Sequence, residues 1–268
     1  QIGIPLLTPS MPKPYYPHRI QHHEESLKVV YFPSCINQTM GTAKDSPDQT
    51  PLIDKTVALL QKAGYEVIFP ENMKNLCCGT IWESKGMMDI ADRKSTELEA
   101  ALYKASNGGK YPVLCDQSPC LHRMRKVMTQ VKLYEPVEFI YTFLKDKLVF
   151  SPIDEPIAVH ITCSMRKMNL GNMLVDLARL CSTKVIVPEE VGCCGLAGDR
   201  GFTYPEVNAY ALRKLKPQIE KAGVKTGYSN SRTCEIGLTT NAGIPYISIV
   251  YLVDKCTTSK NKCHEQPA

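Results

Sequence analysis

The triplet Cys-Cys-Gly occurs twice in this chain, at Cys77-Cys78-Gly79 and Cys193-Cys194-Gly195. Thiolates are soft ligands that select iron–sulfur clusters, zinc or copper(I). Neighbouring cysteines suit metal binding better than disulfide formation, because bridging them strains an ordinary trans peptide. More cysteines recur in register around each triplet. Val29-Val30-Tyr31-Phe32-Pro33-Ser34-Cys35 matches Ile157-Ala158-Val159-His160-Ile161-Thr162-Cys163, and the run ending at Cys120 matches the run ending at Cys234. Cysteines that are merely small buried hydrophobes would not duplicate in this way. The candidate metal ligands are therefore Cys35, Cys77, Cys78 and Cys120 in one copy, and Cys163, Cys193, Cys194 and Cys234 in the other.

The remaining thiols and imidazoles carry less. Cys115 is a further candidate ligand, yet its counterpart is Ser229, so a buried strand cysteine fits equally. Cys181 aligns with Ala63 on the apolar side of a helix and reads as core. Cys256 and Cys263 fall in a polar tail and read as unrelated. His160, opposite Tyr31, reads as packed; His122 could hydrogen-bond a cluster sulfur or cap a helix. Gly79 and Gly195 permit a tight turn after each cysteine pair. If a helix starts there, its free amides would face an anionic cluster. Arg200 and Arg232, near the second motif, would balance cluster charge.

The elements that must hold these residues alternate between strand and helix. Short β-branched runs at Val29 to Phe32, Val67 to Phe69 and Val185 to Val187 interleave with helical stretches such as Thr203 to Ala222. That pattern predicts an α/β fold of two pseudo-symmetric βαβ-type halves, each with a mainly parallel sheet. Loops after the strands' carboxyl ends then gather along one edge and bring each cysteine set together. Cys35 and Cys77 are 42 positions apart, Cys163 and Cys193 only 30. Length therefore varies in the loops while the motif stays. The expected divisions are a proline-rich linker over 1–26, a first repeat over 27–150, and a second repeat with the tail over 151–268. The turn Ser151-Pro152-Ile153-Asp154-Glu155-Pro156 marks the boundary.

Composition excludes several classes. A net charge of +5 comes from scattered basic residues, and the loose cluster His122 to Lys126 is far short of a nucleic-acid stripe. No apolar run approaches the roughly 18 residues of a membrane span. Twelve cysteines without a secretory signal point to a reducing, cytoplasmic setting. No G-x-G-x-x-G follows a strand, so no catalytic residue is assigned. The chain opens on Gln1, which suits a fragment or a processed product.

At Tyr31-Phe32-Pro33-Ser34-Cys35, Val191-Gly192-Cys193-Cys194-Gly195-Leu196-Ala197-Gly198-Asp199-Arg200-Gly201 and Ser229-Asn230-Ser231-Arg232-Thr233-Cys234-Glu235, the chain resembles the cysteine-rich CCG-domain family, over about Leu27 to Asp254. That family includes the cysteine-rich component of heterodisulfide reductase. The nearest resemblance is to the C-terminal region of FAD- and iron–sulfur-containing D-lactate or D-2-hydroxyacid dehydrogenases. It implies a [4Fe-4S] electron-transfer region of a larger oxidoreductase, with FAD outside this chain. The implied partners are FAD-binding and ferredoxin-like domains and a quinone or cytochrome acceptor. The implied location is cytoplasmic, or peripheral on the inner face of the membrane. The fullest family motif ends in Cys-x-x-Cys and gives five cysteines to a non-cubane cluster. Here Gln117 and Ser231 stand at the first of those positions. Four cysteines per half remain, enough for a four-thiolate cluster or for zinc. Two alternatives follow: a reductase acting at its own cluster beside Cys77-Cys78 or Cys193-Cys194, and a structural zinc or interaction domain.

Overall fold

In a computed structural model the structure describes residues 27–260. The expected linker over 1–26 and Cys263 lie outside the described residues. Two four-stranded parallel sheets form the frame. In the first, β1 (Leu27–Phe32), β2 (Tyr65–Ile68), β3 (Val113–Cys115) and β4 (Leu133–Tyr134) run in the order β2-β1-β3-β4. After the short β5 (Leu148–Phe150), the second sheet repeats that order. Its strands are β6 (Ile157–Val159), β7 (Val185–Ile186), β8 (Thr226–Ser229) and β9 (Tyr246–Ser248), arranged β7-β6-β8-β9. Every pairing within the two sheets is parallel. All the carboxyl ends of a sheet therefore open onto one edge.

The apolar runs sort into three clusters. The outer face of the first sheet packs Val30, Phe32 and Val113 against Leu98, Leu102, Leu121 and Met124. The outer face of the second packs Ala158 against Leu215, Ile219 and Leu238. The third cluster is shared, joining Val29, Tyr31, Leu59 and Leu60 of the first half to Val159, Leu174, Leu177 and Leu252 of the second. The halves exchange helices to build it. Helix Ile249–Lys255 packs on Leu52–Lys62 of the first half, while helix Pro136–Phe139 packs on Gly171–Cys181 of the second. Lys62 fastens one exchange by donating to Asp254 Oδ1 at 2.6 Å and to the Thr257 carbonyl at 3.0 Å. Past that point β10 (Thr257–Ser259) pairs antiparallel with β5, so the chain here is folded and not the polar tail expected.

The stretch expected as one helix from Thr203 to Ala222 is three: Arg200–Thr203, Pro205–Ala211 and Leu215–Ala222. Tyr204 precedes Pro205, and the proline ring disfavours helical backbone at the residue before it. Among the described residues no helix is long and apolar enough to cross a membrane.

A polar seam runs between the halves. Gln117 Nε2 donates to Ser231 Oγ at 3.0 Å, and the Arg232 amide donates to Gln117 Oε1 at 3.0 Å. Ser164 Oγ donates to Ser118 Oγ at 2.7 Å. In the same seam Glu135, fully buried, accepts from Asn230 Nδ2 and from the Val137 amide. Burial, opposed by those donors, holds its carboxyl up at about 7. A carboxyl raised in the folded state contributes its full stability below about pH 4.5 and loses it as pH rises through 7. Glu135→Gln is therefore expected to stabilise the chain by about 3 kcal/mol at pH 8 and by almost nothing at pH 4. Asn230 Oδ1 has no partner, so the amide can turn and accept from the new Gln. Buried His160, held down to about 4 by burial, gives the opposite slope below pH 6.5. Urea denaturation of variant and wild type at both pH values isolates the carboxyl, and an equal difference at both would refute the assignment.

Candidate metal centre

Each of the eight repeated cysteines follows the carboxyl end of a strand. Cys35 and Cys163 open the short helices after β1 and β6. Cys120 and Cys234 are each the third residue of the helices after β3 and β8, Ser118–Val127 and Arg232–Ala242. The two triplets lie in the segments that follow β2 and β7. The fold brings the thiols into two matched chains. In the first, Cys35, Cys77, Cys78 and Cys120 are successive neighbours, each close enough to shift the next one's pKa. In the second, the order is Cys163, Cys193, Cys194 and Cys234, with Cys194 Sγ and Cys234 Sγ 3.1 Å apart. Cys35, Cys163 and Cys193 are exposed and Cys77 half-buried, whereas Cys78, Cys120, Cys194 and Cys234 are buried.

The turns after the cysteine pairs aim amides at sulfur. Gly79 N–H donates to Cys77 Sγ at 3.4 Å and Gly195 N–H to Cys193 Sγ at 3.3 Å. Both glycines are left-handed, at φ +85° and +77°. The amides of Thr80 and Leu196 reach Cys78 and Cys194 in the same way. Hydrogen bonds from Cys35 and Cys78, and then from the Gly79 amide, push Cys77 well below the usual thiol range against its burial. Cys193 is lowered by the equivalent set, Cys163, Cys194 and Gly195. A helix does start after Gly79, over Thr80–Ser84, but the second half has none until Arg200.

Backbone carbonyls in the triplets are clamped by side chains that the sequence does not single out. Cys78 O accepts from Ser95 Oγ at 2.9 Å and from Arg123 Nε at 3.1 Å. Arg123, almost fully buried, also pairs with Glu83 and Asp92. In the second half Asn208 Nδ2 donates to Cys194 O and is itself bonded by Asn241. Lys85 and Asp199, at 2.8 Å, tie the segments after the two triplets together.

Other expectations sort plainly. Cys115 is fully buried on β3, with its thiol on the Gln117 carbonyl at 3.8 Å, and it stands outside the thiol chain. Arg200 is exposed. Arg232 is buried and turned across the seam to Asn37 Oδ1 at 3.2 Å and to Glu235 at 3.1 Å. His160 is packed, as read. His122 lies within helix Ser118–Val127, its pKa lowered by burial and by Lys126 and Lys167. Cys181 is in the core, and Cys256 joins it there, 2% exposed.

The donor set fits a thiolate-bound group: four soft ligands per site, with amides already directed at sulfur. Thiolates about 2.3 Å from a tetrahedral zinc stand about 3.8 Å apart, and those around a four-iron cluster stand further. At 3.1 Å the sulfurs are in hydrogen-bond contact. Among the described residues no three His, Cys, Asp or Glu side chains are set out as a ready cage. Taking a metal therefore asks the thiols to deprotonate and rotate apart.

The family model for the CCG cysteine-rich domain matches residues 29–125 and 157–239. One component of the anaerobic glycerol-3-phosphate dehydrogenase of Escherichia coli strain K12 is 24% identical over 177 residues. That match covers 60% of this chain and 44% of the relative, so the chain spans less than half of that relative's length. Lactate utilization protein A of Bacillus pumilus strain SAFR-032 is 24% identical over 215 residues, covering 74% of this chain and 85% of that protein. Among solved structures, the aspartate racemase of Picrophilus torridus aligns over 88% of this chain and 97% of its own, at a TM-score of 0.39 and 8% identity.

Proposed function

Because the chain belongs to the cysteine-rich CCG domain family, we propose that it is an iron–sulfur electron-transfer region of a flavin-linked dehydrogenase acting on D-lactate or a related D-2-hydroxyacid. In this reading electrons leave an FAD held by another domain or protein of the same assembly and pass through this chain toward a quinone or cytochrome. Cys35, Cys77, Cys78 and Cys120 hold one [4Fe-4S] cluster, and Cys163, Cys193, Cys194 and Cys234 the other. A bound cluster of this kind supplies one-electron transfer at a potential set by its ligands, nearby hydrogen bonds and exposure.

One observation carries the reading: two sets of four thiols at equivalent strand ends, each with backbone N–H groups directed at its sulfurs. The relatives' printed names, a component of a dehydrogenase and a lactate utilization protein, support a redox setting. The seam supports transfer between the sites. Gln117 and Ser231 touch across it, and Cys120 and Cys234 each sit one helical turn beyond.

The test is iron, acid-labile sulfide and zinc content of anaerobically purified protein, with visible absorption and low-temperature EPR. About four iron and four sulfide per half, reducible to an EPR-active state, is the expected result. Colourless protein with about one zinc per half would replace it with a structural role. No metal after anaerobic reconstitution would reject metal binding altogether.

A further inference from the structure

One buried ring nitrogen in the second half has nothing to bond. His160 is 3% exposed, and among the described residues no group partners its Nε2. The backbone continues β6 by one residue here, the His160 amide donating to the Tyr228 carbonyl at 2.9 Å. Side chains alternate between the two faces of a strand. Ala158 belongs to the apolar cluster that contains Cys194 and Cys234, and Val159 to the shared core. His160 therefore returns to the side of Ala158, where the second set of thiols lies. The repeat agrees. Phe32 holds the matching position in the first half, and it packs in one cluster with Cys78 and Cys120.

We propose that His160 Nε2 donates a hydrogen bond to a sulfur of the group bound at the second site, and that this bond makes the two sites unequal. The inference rests on the iron–sulfur reading above. Burial, with Arg166 beside it, keeps the ring neutral, and a neutral imidazole carries a single N–H. A thiolate-bound iron–sulfur group offers acceptors and no donors. The tautomer that serves it has its proton on Nε2, leaving Nδ1 to accept from Ser229 Oγ, 3.5 Å away. Ser229 Oγ also stands 3.4 Å from the His160 carbonyl oxygen, which holds the hydroxyl in place beside the ring. Cys193 acts on the charge of the ring, so that thiol and the imidazole lie within electrostatic reach of each other.

The consequence is confined to one half. Hydrogen bonds to cluster sulfur favour the reduced, more negative state and raise the reduction potential. Phe32 has no N–H to offer, so the first site lacks this donor. The step that the bond assists is the uptake of one electron; only the charge of the site changes, and no covalent bond forms or breaks. Filling the site also gives a buried N–H the partner it otherwise lacks, and such a group is costly to leave unpaired.

The test uses the full chain, labelled with 15N at histidine alone, loaded anaerobically with iron and sulfide, and reduced with dithionite. Pulsed EPR should show a weak 15N coupling on the reducible signal that Cys194→Ala abolishes. In His160→Phe, which supplies the residue of the first half, iron content should hold while that coupling disappears. The midpoint potential of the same signal should fall by about 59 mV, a tenfold shift for one electron, and the other signal should stay in place. A loaded wild type with no histidine coupling on that signal overturns the hydrogen bond, whether or not the variant folds. So does a coupling as strong as that of a coordinated nitrogen, which would make His160 a ligand, and so does an unmoved midpoint in His160→Phe. A chain that takes up no iron overturns the iron–sulfur reading itself, and the hydrogen bond with it.

Discussion

Cys194→Ala is expected to halve the iron and sulfide carried by the protein and to abolish one of two reducible signals, leaving the other intact. Cys194 is the second member of its triplet, in contact with Cys193 and 3.1 Å from Cys234. Removing it leaves three thiols at that site, one short of the set a four-thiolate cluster requires. The first chain of thiols lies on the other sheet and keeps all four members, so iron should fall from about eight per chain to about four. Cys181→Ala is the matched control, a buried thiol outside both chains. Its loss should cost on the order of 1 kcal/mol of packing and no iron. Elemental analysis and EPR of the two variants side by side read the result. Equal iron in Cys194→Ala and wild type would remove Cys194 from the ligand set; equal loss in both variants would mean that the metal follows general stability.

The duplication was legible in the sequence because each copy repeats residue types in register, and parallel pairing turns that register into position. A cysteine a few residues beyond a strand has to arrive at the carboxyl edge, whatever the loop length. The parts that escaped reading depend on contacts with no period. Arg123 sits in what reads as a loose surface cluster of basic residues, yet it is buried and clamps Cys78 O. Its functional equivalent, Asn208, comes from a different place in the repeat and a different residue type. No alignment of one half on the other pairs them. The helix exchange was equally invisible, since an amphipathic helix announces an apolar face and not which half will cover it. Cys256 reads from sequence as part of a polar tail, unrelated to the repeat. It is buried because β10 pairs with β5 and closes over it.

Gly79→Ala should destabilise the chain by about 4 kcal/mol or more, whereas Gly64→Ala should cost about 1 kcal/mol. Both glycines are left-handed, at φ +85° and +82°, so the backbone cost of adding a Cβ is nearly the same. The surroundings differ. A Cβ on Gly64 meets nothing within 4 Å. On Gly79 it would stand 2.4 Å from the Ala91 carbonyl oxygen, 2.9 Å from Arg123 Nε and 3.0 Å from Ser95 Oγ. The first of these is helix backbone and cannot swing aside. The other two are the clamp on Cys78 O, so making room leaves that carbonyl, and a buried guanidinium, without a partner. Gly195 faces the same exclusion from helix Pro205–Ala211, with Asn208 Cα at 2.7 Å and Val207 O at 2.8 Å. The third residue of each triplet is thus demanded by the packing of the turn, independently of any metal. Urea denaturation of metal-free protein separates the two causes. A large loss for Gly79→Ala without metal places the requirement in the turn. A loss no greater than that of Gly64→Ala would mean that the glycine serves only the loaded site.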